Sequence, residues 1–158
     1  KEYRNQVKDW LKGNKNFEVI DYEVDISPNG HLQADKKYGD VDIMVFDTET
    51  NFVWSLECKD TNKAKNIHEM KNEMDNYLGR EGGKGMIKKH IERHKWLENN
   101  TDKVCAFLKI ENPIKIVSYM LTSEVIPTSY TKAEELPMPI IAFPDLKREG
   151  VKILYPTH

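Results

Sequence analysis

YGDVDIMVF at residues 38–46, followed after a short polar segment by WSLECKD at residues 54–60, decides the expected fold of this chain. Val41–Phe46 and Phe52–Cys58 are rich in residues that favour β-strands. The polar residues Asp47–Asn51 between them are typical of a turn. The two strands are therefore predicted to form a hairpin.

The expected register of this hairpin brings two carboxylates together. If the turn is centred between Thr48 and Asn51, Asp42 lies directly opposite Glu57. Side chains alternate between the faces of a strand, so Lys59 projects from the same face as Glu57. Directly opposed Cβ atoms are about 5 Å apart, and two like charges at that distance are destabilising unless a cation lies between them or one is protonated.

A divalent cation would remove this repulsion. Mg²⁺ and Mn²⁺ bind to hard oxygen ligands such as one or two carboxylates, together with retained water and substrate phosphate. Lys59 would then stabilise charge that develops on a phosphate or act on the attacking water. A salt-bridged outer face of the sheet is the alternative, but a carboxylate within an otherwise apolar strand favours the metal site. Asp40, two residues before Asp42, could share or replace its role.

The two motifs resemble the PD-(D/E)xK nuclease superfamily, whose pattern is an Asp at the start of one strand and Glu-x-Lys on the next. This resemblance implies that Asp42 and Glu57 bind the metal, that the Cys58 carbonyl completes the site, and that Lys59 positions or activates water. The first helix resembles the family's opening helix, which implies Glu2 as a further metal ligand. No Pro precedes Asp42, unlike the common family pattern.

The chain is predicted to be a single nuclease-like domain of the α/β class spanning residues 1–158, with a restriction-endonuclease-like mixed β-sheet flanked by helices. One layer of sheet and the order α-β-β-β-α-α-β-β-β are expected. Beyond the hairpin, the predicted elements are an opening helix that includes Tyr3, Val7 and Leu11, a strand at 17–26, helices at 64–78 and 84–99, and strands at 114–122, 139–143 and 151–155. The chain begins without Met, so we expect a fragment joined to further domains in the full-length protein.

The net charge of −2, from 24 Lys and Arg against 26 Asp and Glu, provides no overall attraction to nucleic acid. A nucleic-acid surface must therefore be a local basic patch. The residues expected to form it lie near the predicted site and on the helix at 84–99, and they are Lys63, Lys65, Lys88, Lys89 and Arg93.

Other patterns exclude several classes of protein. Two cysteines are too few for a disulfide framework, and no apolar run is long enough for a membrane span, so a cytoplasmic protein is expected. His90 and His94 are four residues apart and could form a zinc pair. We expect them instead to pack against the sheet with hydrogen bonds, because both fall on the apolar side of the helix.

The sequence thus predicts a Mg²⁺- or Mn²⁺-dependent endonuclease that hydrolyses phosphodiester bonds, with DNA as the expected substrate. An RNA-directed nuclease remains open, because a metal site does not distinguish the two sugars. A module that binds nucleic acid or protein on a nuclease fold without cutting is the third hypothesis. Self-association as a homodimer is also left open.

Overall fold

The structure is a computed structural model that describes residues 2–60, 86–125 and 139–156. Its elements, in chain order, are α1 (Glu2–Lys12), β1 (Phe17–Val19), β2 (Val24–Ser27), β3 (Leu32–Gln33), β4 (Gly39–Val41), β5 (Ile43–Asp47), β6 (Phe52–Lys59), α2 (Met86–Asn99), α3 (Thr101–Leu108), β7 (Lys115–Thr122), β8 (Ile140–Ala142), α4 (Phe143–Glu149) and a 3₁₀ helix (Val151–Leu154). The predicted helix at 64–78 lies outside the described residues.

A mixed five-stranded sheet forms the centre of the molecule, in the spatial order β1-β5-β6-β7-β8. Strands β1, β5 and β6 are antiparallel neighbours, whereas β6, β7 and β8 run parallel. The mixed α/β architecture with flanking helices is confirmed.

The expectation of a single layer of sheet is wrong. A second, three-stranded sheet has the order β3-β2-β4. The predicted strand at 17–26 divides, because β1 pairs with β5 in the large sheet whereas β2 pairs with β3 and β4. The strand β4 of this small sheet is therefore followed in sequence, after one residue, by β5 of the large sheet.

The hairpin has the predicted register. Ile43 pairs with Leu56 and Phe46 pairs with Val53 across β5 and β6. When this register is continued by one residue, Asp42 falls opposite Glu57. The turn closes at Asn51, whose φ of 66° is tolerated by Asn better than by most other residues.

Apolar side chains cover both faces of the large sheet. One face packs against α1, α4 and the 3₁₀ helix, with Trp54 and Leu56 at its centre. The other face packs against α2, α3 and the small sheet, with Met44 and Val53 at its centre. Each large apolar side chain that is fully buried in this way stabilises the fold by about 1.5 to 3 kcal/mol.

The C-terminal part of the described chain differs from the prediction. The strand expected at 151–155 is a 3₁₀ helix, in which Leu154 is buried, and it follows Gly150 with a φ of 89°. The strand expected at 139–143 is shorter, because Phe143 begins α4 with a Pro in its first turn. Among the described residues, no helix is long and apolar enough to cross a bilayer.

Candidate active site

Asp42 lies at the junction of the two sheets. It is the single residue between β4, in the small sheet, and β5, in the large one. Its carboxylate oxygen Oδ2 accepts a hydrogen bond from the backbone N–H of Cys58 at 2.9 Å. Its backbone carbonyl accepts a hydrogen bond from Nε of Arg4 on α1 at 2.6 Å. The side chain is thus tied to β6 beside Glu57, and the backbone to α1.

Glu57 is buried, with 7% of its surface exposed, and it pairs with a cation from α2. Nη2 of Arg93 donates to Oε1 of Glu57 at 2.9 Å, and both side chains are less than 10% exposed. The alternation of side chains along β6 places Glu57 on the face covered by α2, whereas Leu56 and Cys58 lie against the α1 side. The charge of Asp42 acts on Glu57, but the two carboxylates have different hydrogen-bond partners.

A cavity of about 160 Å³ opens beside Asp42 and is lined by Tyr3, Arg4, Glu23, Asp42, Cys58 and Asp60. The hydroxyl of Tyr3 is buried and has no hydrogen-bond partner within the described residues. Sequence reasoning missed Tyr3, Arg4, Glu23 and Asp60 as cavity residues. Tyr3 could have been found, because it follows Glu2 on the helix predicted to reach the site.

The predicted ligand Glu2 is exposed at the first turn of α1, whereas the next two residues, Tyr3 and Arg4, line the cavity. Its role as a metal ligand therefore stays a prediction. Asp40, the alternative to Asp42, is exposed in β4 and pairs across the small sheet with Asp25.

Burial determines the electrostatics of the two carboxylates. It raises the pKa of Glu57 to about 8, with the nearby Asp42 charge acting in the same direction and Arg93 opposing both. Burial also raises the pKa of Asp42, against the hydrogen bond from Cys58. Burial therefore disfavours the ionised form of both carboxylates, although the charge of Arg93 lowers both pKa values and that of Arg4 lowers the pKa of Asp42.

The backbone carbonyl of Cys58 is a candidate metal ligand that faces the Asp42 side of β6. The N–H and C=O of one residue in a strand point to the same side, as the paired bonds of antiparallel neighbours require. Because the N–H of Cys58 points to Asp42, its carbonyl faces the Asp42 side as well. The next carbonyl, that of Lys59, points the other way and accepts the N–H of Ser123 beyond β7.

Lys59 is the last residue of β6, and its side chain is half-buried. By alternation it projects from the same face as Glu57. Within residues 2–60, 86–125 and 139–156, no carboxylate lies within ion-pair distance of its ammonium group. The ammonium is therefore not held by any of the described acidic side chains.

These donors fit a magnesium-type site better than a zinc-type site. Across the described ranges, no group of three or more His, Cys, Asp or Glu side chains is arranged to hold a metal ion. Mg²⁺ does not require three, because it is commonly bound by one or two carboxylates and otherwise by water and substrate phosphate. Asp42, the second oxygen of Glu57 and the Cys58 carbonyl are the oxygens that would hold such an ion.

Three of the five residues of the predicted basic patch lie in the described part of the chain. Lys88 and Lys89 are exposed on the first turns of α2. Lys63 and Lys65 lie outside the described residues. The assignment of Arg93 to this surface is wrong, because Arg93 is 5% exposed and is paired with Glu57 inside the protein. A guanidinium in that position cannot reach the phosphate backbone of a duplex at the surface.

The two histidines of α2 pack against β7, as predicted. His90 is fully buried and its Nε2 lies 3.2 Å from the Tyr119 carbonyl. Nδ1 of His94 lies 2.6 Å from Oγ of Ser118. Both imidazoles are thus used in hydrogen bonds between the helix and the sheet. Arg93 lies three residues after His90 on the same side of the helix, a spacing that could have identified it as sheet-facing.

A family model described as "Anti-phage protein Upx-like" matches residues 18–141, more than three quarters of the chain. The matched range includes the small sheet and all but the outermost residues of the large sheet, together with Asp42, Glu57, Lys59 and Arg93. No curated protein and no solved structure matches the chain.

Proposed function

This chain belongs to the Upx-like family of anti-phage proteins, and on that premise we propose that it is a Mg²⁺- or Mn²⁺-dependent nuclease that hydrolyses phosphodiester bonds in phage DNA. The fold proposed for it is the restriction-endonuclease-like one. The observation that carries the proposal is the opposition of Asp42 and Glu57 at the end of a hairpin, with the Cys58 N–H on the Asp42 carboxylate.

The surroundings of the two carboxylates support this function more than a structural role. Burial raises the pKa of both, so the arrangement makes the ionised forms costly and does not stabilise the fold by itself. The charges of Arg93 and Arg4 oppose this rise at Asp42, and that of Arg93 opposes it at Glu57, without overcoming the effect of burial. A divalent cation would supply the remaining charge that both ionised carboxylates need. Active sites commonly contain acidic groups with pKa values shifted in this way.

The residues divide the proposed reaction among them. Asp42, Glu57 and the Cys58 carbonyl bind and orient the ion, which when bound supplies electrophilic activation of the scissile phosphate. Lys59 donates a hydrogen bond to the phosphate oxygens as negative charge develops on them, or orients the attacking water. Tyr3 lines the cavity, and its buried hydroxyl has no hydrogen-bond partner among the described residues.

A binding module without hydrolytic activity is the second candidate. The observation that favours it is the ion pair of Glu57 with Arg93, since the carboxylate of this proposed ligand already has a cation on its other oxygen. In that case, phage nucleic acid would be recognised at the exposed lysines of α2, and cutting would be absent.

A nuclease assay with defined substrates tests the proposal. The purified chain is incubated with supercoiled plasmid, linear phage DNA, single-stranded DNA and RNA, each with Mg²⁺, Mn²⁺ or EDTA. Metal-dependent nicking or degradation of DNA that Asp42→Asn abolishes is the expected result. Cleavage of RNA alone would correct the substrate. Binding of DNA without cleavage under every condition would replace the nuclease with the binding module.

A further inference from the structure

Arg93 joins the two segments that carry the proposed metal ligands. Its Nη2 donates to Oε1 of Glu57 at 2.9 Å, and its Nη1 donates to the backbone carbonyl of Tyr38 at 3.0 Å. Tyr38 lies immediately before β4, four residues ahead of Asp42. The Arg93 guanidinium therefore links the backbone that leads to Asp42 with the side chain of Glu57.

The backbone of β4 is shaped to admit this guanidinium. Gly39 has a φ of 99°, a conformation that residues with a Cβ rarely adopt. A Cβ added there would lie 2.8 Å from Nη1 of Arg93, well inside contact distance. Gly39 thus lets the main chain approach Arg93 closely enough for the Tyr38 carbonyl to accept its hydrogen bond.

The buried ion pair of Arg93 with Glu57 also has a defined orientation. Arg93 contacts one oxygen of Glu57, Oε1, and leaves Oε2 without a partner among the described residues. Carboxylates that bind metals are commonly held by a hydrogen bond on the oxygen that does not face the ion, and such outer partners fix the orientation of the ligand. The bond from Nη1 to the Tyr38 carbonyl adds a second anchor, which fixes the orientation of the guanidinium and, through it, the orientation of Glu57.

We propose that Arg93 is a positioning residue that presents Glu57 to the metal through Oε2 alone and holds it in register with Asp42. This inference rests on the proposed function, because it requires a metal site at Asp42 and Glu57. It extends that function by assigning a role to a residue on a helix that supplies no ligand. Loss of such an outer partner typically costs about 10- to 100-fold in metal affinity.

Calorimetric titration of Mn²⁺ into the full chain tests this role without measuring cleavage. Arg93→Met should bind Mn²⁺ about 10- to 100-fold more weakly than the wild type. Arg93→Lys should recover part of that loss, because an ammonium can reach one of the two acceptors. Gly39→Ala retains every charge but places a methyl group against the guanidinium, so it should also weaken Mn²⁺ binding.

Two controls separate this effect from general destabilisation. Arg148→Met removes an exposed arginine that pairs with Asp145 on α4. Ser118→Ala removes the buried partner of His94 and loosens the packing of α2 on β7 without touching Glu57. Both variants should bind Mn²⁺ within about twofold of the wild type, with the folded fraction of every variant checked by circular dichroism.

The outcomes distinguish the two proposals. If the wild type binds Mn²⁺ and the folded variants Arg93→Lys and Gly39→Ala bind it as tightly or more tightly, Arg93 only balances charge and the positioning role is wrong. That conclusion holds whether or not Arg93→Met folds. If the wild type binds no Mn²⁺ at all, the metal site itself is wrong, and both proposals fall together.

Discussion

The carboxylate of Asp42 accepts the backbone N–H of Cys58 at 2.9 Å, across the open end of the β5–β6 hairpin. A side chain thus replaces the main-chain partner at the point where the strand ladder stops at Ile43 and Leu56. The bond fixes one oxygen of Asp42 on β6, beside Glu57. The proposed metal site therefore combines β6 with the one-residue junction between β4 and β5, and the bond to Cys58 restricts the movement of Asp42.

Replacement of Lys59 tests the division of roles at the site. Lys59→Ala should bind Mn²⁺ nearly as well as the wild type, because an ammonium group is not a metal ligand. Cleavage should fall about 100- to 1000-fold, the usual cost of losing one donor that acts mainly on the transition state. Calorimetry and plasmid nicking measure the two quantities. Lys152→Ala, at an exposed lysine of the 3₁₀ helix, is the matched control. Equal losses of metal affinity and rate in Lys59→Ala would contradict this role.

The exposed lysines of α2 provide a second prediction. The double variant Lys88→Glu and Lys89→Glu should weaken binding to all DNA sequences alike, since phosphate contacts carry no sequence information. The slope of log affinity against log salt concentration should become shallower by about 0.9 for each phosphate that the variant no longer neutralises. Fluorescence anisotropy with two unrelated duplexes at several salt concentrations measures both effects. An unchanged slope would show that these lysines only face solvent.

The hairpin register and the packing of the histidines could be predicted from the sequence because both depend on local patterns. The turn after Asp47 sets which residues of β5 and β6 are opposite, and a four-residue spacing sets the shared face of His90 and His94. The same spacing places Arg93 towards the sheet, but nothing local shows that its partner is Glu57, 36 positions earlier.

Other features depend on contacts between distant residues. The small sheet forms because Val24 and Ile26 pair with β4, and the alternation within 17–26 does not reveal where one sheet ends and the next begins. The cavity combines Tyr3, Glu23 and Asp60 from three separate segments. The segment at 151–155 is too short for its pattern to distinguish a strand from the 3₁₀ helix that the structure contains.

The buried His90 should make the free energy of unfolding depend on pH. Burial lowers the pKa of His90 to about 3, with the charge of Arg93 acting in the same direction. Since the folded state binds this proton less readily than the unfolded state, whose His has a pKa of about 6.5, the stabilising contribution is complete above pH 6.5. It is lost as the pH falls towards 3, at roughly 1.4 kcal/mol per pH unit.

The variant His90→Gln isolates this effect, because its amide can donate to the Tyr119 carbonyl but does not titrate in this range. Urea unfolding of both proteins between pH 4 and 7.5 gives the free energy of unfolding at each pH. The wild type should lose stability relative to His90→Gln as the solution becomes more acidic. Parallel curves would mean that His90 does not stay neutral in the folded protein.

The most direct test of the metal site is calorimetric titration of Mn²⁺ into the wild type and into Asp42→Asn, with plasmid nicking measured on the same samples. Asn retains the size of Asp and an oxygen that can accept the Cys58 N–H, but it removes the negative charge that the proposed site requires. The wild type should bind Mn²⁺ and nick the plasmid, whereas Asp42→Asn should lose both while remaining folded. Equal Mn²⁺ affinity and equal nicking in the two proteins would contradict a nuclease site at Asp42 and Glu57.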